Sequence, residues 1–168
     1  MTSHDLPASV TCEHCGRTNR VRATAESAPR CGHCNSALPW VVDTDNDTYT
    51  DIVERSQVPV LIYMCAPWCP PCRHMTPILE QVAKDLAGWV KLVEVEVDEA
   101  PEIPERLAIR SVPALIFMKR GKALATHVGA APALIVRAWV EETLAKASSP
   151  APVTHAYFRE VGPHDRHI

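Results

Sequence analysis

No stretch of this 168-residue chain comes near the ~18 consecutive apolar residues of a membrane-spanning helix, so none is expected. Charge of one sign is equally scarce. Lys and Arg number 17 against 20 Asp and Glu, and a net charge of −3 gives no general pull toward nucleic acid or anionic lipid. The opening residues, MTSHDLPASV, have neither a basic flank nor an apolar h-region, so no secretory leader is read there and a cytoplasmic setting is expected. Repeats of roughly 20 to 50 residues are missing, apart from a doubled Cys-x-x-Cys. Cysteine, by contrast, is plentiful. Seven occur, and where cytosolic thiols are kept reduced they read as ligands or catalysts rather than staples. An odd number also leaves at least one with a separate role.

Composition divides the chain into three parts: 1–38, cysteine-rich with almost no aliphatic periodicity; 39–147, where apolar runs alternate in period; and 148–168, a Pro- and His-containing tail. The first part is too poor in apolar residues to fold unaided and needs a staple. In the second, DNDTYTDIVERSQ has helix-capping residues ahead of Ile52 and Val53. VPVLIYMCA (58–66) reads as a strand buried on both faces. Met75, Ile78, Leu79, Val82 and Leu86 recur at helical spacing, predicting a helix from near Cys69 to Gly88, kinked at Pro77. KLVEVEVD (91–98) alternates as a strand, with Val93, Val95 and Val97 on one face and Glu94 and Glu96 on the other. A short helical or turn segment near 101–108, two strands joined at Lys119–Lys122 and an amphipathic closing helix complete an α/β pattern: a mixed central sheet flanked by helices.

Cys12-x2-Cys15 and Cys31-x2-Cys34, fifteen residues apart, have the spacing of a zinc ribbon. Each pair makes a tight knuckle, Gly16 and Gly32 supplying permissive turns, and the two close a tetrahedron with Zn–S near ~2.3 Å. Redox use of these pairs is disfavoured, because no strand precedes either and no helix clearly follows. Four thiolates leave no open position, so one zinc ion per chain would be structural. His14 and His33 lie within the knuckles and are expected to face solvent. Arg17, Arg20 and Arg22 form a local patch, yet with the charge of a zinc tetrathiolate the segment is slightly acidic, and nucleic-acid binding is not expected.

MCAPWCPPCRHM (64–75) poses a choice between a third metal knuckle and a dithiol. Cys69 falls where a buried strand gives way to a helix, at or beside the N-cap, facing free N–H groups and the positive end of the dipole. That environment lowers a thiol pKa from about 8.5 toward 7. Cys72 lies one turn deeper, and Pro71 suits the first turn, where a missing N–H costs little. A metal would need a second pair nearby, which Cys65 alone does not supply, so redox work is favoured.

On WCPPC, the preceding VPVLIYMCAP and the later IRSVPALIFMKRGK, the chain resembles the thioredoxins. With its N-terminal ribbon it is similar to the bacterial thioredoxin C (second thioredoxin) type. The resemblance implies a thioredoxin fold, dithiol–disulfide exchange with disulfide-containing proteins, and re-reduction by an NADPH-dependent thioredoxin reductase, without an organic cofactor; a monomer is expected. It makes Cys69 the attacking cysteine, Cys72 the resolving one and Trp68 the preceding aromatic. It makes Pro113 a cis-proline presenting Val112 to a substrate strand, and Gly129 the small residue that lets a substrate backbone approach. The sequence departs from the family at Pro70-Pro71 (usually Gly-Pro), at Tyr63 (usually a buried Asp), at Cys65 (usually Trp) and at Glu94 (usually Lys). If the strands pair as in the family, Tyr63 and Glu94 share a face, and Glu94, hydrogen-bonded to Tyr63, would accept the Cys72 proton; otherwise Glu94 points to water beside Glu96. Cys65 is expected to be a small buried apolar residue, and tail residues His155, His164 and His167 a solvated end. Beside a disulfide reductase, two readings stay open: a more oxidising oxidase or isomerase, and a zinc-dependent adaptor or redox-sensitive chaperone.

Overall fold

The computed structural model describes residues 7–148; the tail, with His155, His164 and His167, lies outside the described residues. A central sheet of five strands runs β3 (Val41–Asp43), β5 (Lys91–Glu96), β4 (Val60–Cys65), β6 (Ala114–Lys119), β7 (Lys122–Val128) in spatial order. β3, β5 and β4 are parallel, and β6 and β7 return antiparallel. Ahead of them β1 (Ala8–Thr11) and β2 (Thr18–Val21) form an antiparallel hairpin.

The alternation along the strands sorts their side chains onto two cores. Leu61, Tyr63, Leu92, Leu115 and Phe117 face α1 (Pro70–Asp85) and α3 (Ala133–Ser148), which contribute Met75, Leu79, Val82, Val136 and Val140. Val60, Ile62, Met64, Val93, Val95, Ile116 and Met118 face the opposite layer of Trp40, Tyr49, Ile52 and Ile103, the last from α2 (Glu102–Arg106). β4, the middle strand, is therefore apolar along its length, as its unbroken hydrophobic run requires. α1 continues through Pro77 and ends at Asp85, with Leu86 as its cap.

The 45–57 segment turns helical as its capping residues predict: Asp45 Oδ1 collects the Asp47 and Thr48 amides and the Thr48 hydroxyl, and one π-helical turn, Thr50–Glu54, follows. One expectation is corrected and one element was missed. A strand does precede the first cysteine pair, since β1 runs directly into Cys12. The three-residue β3 was too short for any period to announce it. Lys91 is also buried in the strand: its Nζ donates to the Ile52 carbonyl at 2.8 Å and sits 4.3 Å from the Trp40 ring centroid, and desolvation lowers its pKa to about 8.

Candidate active site

β4 ends at Cys65, and within a few residues the chain turns into α1. Cys69 caps that helix with extended backbone angles (φ −99°, ψ 103°), and its Sγ accepts the Cys72 amide at 3.3 Å. Pro70 and Pro71 fill the first helical positions, where their missing N–H groups are not needed. Cys69 and Cys72 are buried and joined to each other in a disulfide, with Cα atoms 5.3 Å apart. The pair is a dithiol, not a knuckle; among the described residues the metal-spaced cluster is the upstream quartet.

Around the disulfide, Ala66, Cys65, Val97 and Val112 make a small apolar cluster. The Val112–Pro113 peptide is cis. A shallow groove of about 160 Å³ beside it is lined by Trp68, Val97, Ile109, Arg110 and Val112. Trp68 is 65% exposed, its orientation fixed by the indole N–H donating to Asp98 Oδ2 at 2.9 Å. Gly129 donates its N–H to the Pro113 carbonyl at 2.8 Å with φ +97°, and a Cβ there would meet nothing within 4 Å. Glycine is demanded by the backbone, and the space in front stays open. The structure thus brings Cys69, Cys72, Val112, Pro113 and Gly129 together, with Trp68 at the rim.

Beneath the pair the register places Tyr63 opposite Glu94, and Glu94 opposite Asp43. The expected Tyr63–Glu94 hydrogen bond is not formed. Instead the buried Tyr63 hydroxyl donates to the Cys72 carbonyl at 2.7 Å and lies 3.2 Å from Thr76 Oγ1, which donates to the same carbonyl at 3.1 Å. Nor does Glu94 simply point to water: its Oε1 is buried with no hydrogen-bond partner among the described residues. Burial, with Asp43 and Glu80 adding like charge, raises its carboxyl to about 7. Half-buried Cys65 is pushed up to about 11 by desolvation and by Glu94, Glu96 and Asp43, so it stays a thiol. Thr76 and Asp98 were missed in the sequence. The i, i+4 spacing of Thr76 from Cys72 offered a faint signal; Asp98 offered none.

The four upstream sulfurs lie within 4.8 Å of one another, with Cys12–Cys34 and Cys15–Cys31 each at 3.6 Å. A tetrahedron with Zn–S bonds of ~2.3 Å has edges of about 3.8 Å, so the quartet fits such an ion. The knuckles repeat one pattern. Cys12 N–H bonds the Arg17 carbonyl and Cys31 N–H the Ser36 carbonyl, while Gly16 and Asn35 donate back to Cys12 and Cys31. The left-handed positions are Gly16 (φ +73°) and Asn35 (φ +60°); Gly32 is not one, correcting the turn assigned to it. Asn19 ties the halves together, accepting the Gly32 amide at 3.0 Å and donating to Cys31 Sγ at 3.5 Å. Backbone N–H groups of Cys34 and His33 hold Cys31 down at about 6; at Cys15, against the pull of the Arg17 amide, burial and the other thiols push the value up to about 12. A divalent cation would remove that conflict by taking all four as thiolates. His14 and His33 are exposed, as expected.

A disulfide formed between a helix cap and the turn behind it, at the end of the central strand of a mixed sheet, defines a thiol–disulfide exchange centre. Residues 39–142 match the thioredoxin family. Similar proteins include a thioredoxin of Haemophilus influenzae, 37% identical over 92 residues (55% of this chain, 86% of that protein). A thioredoxin of Rickettsia bellii is 43% identical over 82 residues (49% and 78%), and the chloroplastic M-type thioredoxin of Chlamydomonas reinhardtii 34% identical over 128 (76% and 90%). The chain belongs to the thioredoxin family and is a thiol–disulfide oxidoreductase.

Proposed function

We propose that the chain reduces protein disulfides, as a thioredoxin of the bacterial C type whose residues 1–38 form a structural zinc ribbon, 39–147 the redox domain and 148–168 an appended tail. The observation that carries the reading is the Cys69–Cys72 disulfide at the cap of α1, with Val112 packed against it. The reduced Cys69 thiolate attacks one sulfur of a substrate disulfide, and the first substrate thiolate leaves. Cys72 gives up its proton, with Glu94 as the acceptor assigned here, and attacks Cys69 Sγ. The mixed disulfide breaks, the second substrate thiolate leaves, and the protein is oxidised by two electrons. Trp68, Val112, Pro113 and Gly129 line the path on which an extended substrate segment would lie. An NADPH-dependent thioredoxin reductase would return the electrons, in a reducing cytoplasm where the thiol quartet persists. Zinc at Cys12, Cys15, Cys31 and Cys34 would neutralise four sulfur anions and staple the knuckles.

Insulin reduction coupled to NADPH and thioredoxin reductase tests the reading. Wild-type protein should turn over and Cys69→Ser should not, while Cys72→Ser should stop at a trapped mixed disulfide. A redox equilibrium more oxidising than the glutathione couple would instead make the chain an oxidase or isomerase. Full biological activity in Cys69→Ser, lost on deleting the ribbon, would make it an adaptor or chaperone.

A further inference from the structure

We propose that Tyr63 is a positioning residue for the second half of the exchange: with Thr76 it clamps the Cys72 carbonyl and holds the Cys72 thiol in line with Cys69 Sγ while substrate is attached. The inference rests on Cys72 being the resolving cysteine.

Three oxygens define the clamp. Tyr63 Oη and Thr76 Oγ1 both donate to the Cys72 carbonyl, at 2.7 and 3.1 Å, and lie 3.2 Å from each other. Tyr63 is fully buried on β4, the middle strand, hydrogen-bonded on both sides by β5 and β6, so the phenol is presented by a backbone held from both flanks. Its contact to residue 72 crosses from sheet to helix. Besides the backbone ladder of α1, Cys72 is tied to Cys69 twice: by the disulfide itself and by its amide N–H, which donates to Cys69 Sγ. Those are the ties the reaction disturbs. When Cys69 Sγ is bonded to substrate, its bond to Cys72 is absent and its lone pairs are turned toward a new partner. Pro70 and Pro71 have no N–H with which to secure the turn. The carbonyl clamp does not involve sulfur and so persists through both steps. Burial keeps the phenol protonated, its pKa raised to about 12, so it remains a donor at every working pH.

The clamp should matter when the Cys72 thiol must meet Cys69 Sγ, across Cα atoms 5.3 Å apart, and not when Cys69 attacks. Stopped-flow reaction of the reduced protein with limiting 5,5′-dithiobis(2-nitrobenzoate) separates these steps. Attack by the Cys69 thiolate breaks the reagent disulfide and releases one thionitrobenzoate. Attack by the Cys72 thiolate on Cys69 Sγ breaks the mixed disulfide and releases the second.

Tyr63→Phe should leave the first phase within about twofold and slow the second on the order of tenfold, the usual effect of one buried hydrogen bond. Its pH midpoint should stay where it is in the wild type. Thr76→Val should slow the same phase, and Thr76→Ser, which keeps the hydroxyl, should restore it. Because Thr76→Val retains the phenol, it gives the same readout if Tyr63→Phe fails to fold. An unchanged second phase, equal slowing of both phases, or a shifted pH midpoint would each overturn the positioning role. Cys72→Ser releases a single equivalent if Cys72 resolves; release of both would sink the reading beneath the inference, not the clamp alone.

Discussion

Glu94 is the residue whose environment conflicts most with its chemistry. A carboxyl on a central strand, facing a layer that holds Tyr63 and flanked by Asp43, has one oxygen without a partner among the described residues. Such a group stays neutral until the cost of holding its proton exceeds the cost of a buried charge. Raised from 4.5 to about 7, it keeps a proton in the folded state that the unfolded chain has lost. Stability therefore falls as pH rises from about 4.5 to 7, and this contribution levels off above that. Wild-type urea midpoints should drop across this window. Glu94→Gln should flatten the curve, because the amide has no proton to lose. The same substitution should slow disulfide exchange at neutral pH, since a group poised near 7 is suited to take the Cys72 proton. An unchanged slope would show that Glu94 does not titrate there, and an unchanged exchange rate would remove it from the mechanism.

Among the elements, the β6–β7 hairpin carries visible strain. Its two connecting residues, Arg120 (φ +50°) and Gly121 (φ +76°), both take left-handed conformations, as a two-residue turn matched to strand twist demands. Glycine accepts this freely and arginine does not, while asparagine is well tolerated there. Arg120→Asn should therefore stabilise the protein by about 0.5–1 kcal/mol, read as a higher midpoint in urea with unchanged slope; a lower midpoint would mean that the Arg120 side chain makes a contact worth more than the strain. This turn was legible because Gly121 sits between two apolar runs, and the same holds for β4, α1, β5 and α3, whose periods are long. Cys69 at a strand–helix junction and the paired Cys-x2-Cys spacing were legible for a similar reason: chemistry imposes a short, fixed distance. Short elements were not. Val41–Asp43 has three residues, and Thr50–Glu54, with five, showed only through the capping residues ahead of it. The Tyr63 clamp was invisible because a phenol can reach several partners, and which one it meets depends on how the helix lies over the sheet.

At the scale of the molecule, the cysteine-rich segment is not a separate bead. Val21, Ala23, Leu38 and Trp40 are buried in one continuous cluster with Ile62 and Met64 of β4 and Val93 and Val95 of β5. Trp40 Nε1 donates to the Arg22 carbonyl at 3.1 Å, and Glu13 meets Lys84 of α1 at 3.2 Å. At Gly88, past the end of α1, a Cβ would come within 3.1 Å of Ala37. A segment that shares its core with the central strands melts with them. Zinc at the cysteine quartet would therefore stabilise the sheet as well as the knuckles, since a ligand that binds only the folded form shifts the whole transition. Loading with zinc and then chelating it should move a single calorimetric transition downward on the order of 10 °C, because ~1 kcal/mol moves the midpoint of a chain this size by roughly 2–4 °C and a structural zinc contributes several times that. Replacing Cys12 and Cys31 by Ser should mimic the chelated protein and abolish its response to zinc. Two separate transitions, the upper one indifferent to zinc, would show that the cysteine-rich segment folds on its own and that Trp40 does not couple it to the sheet.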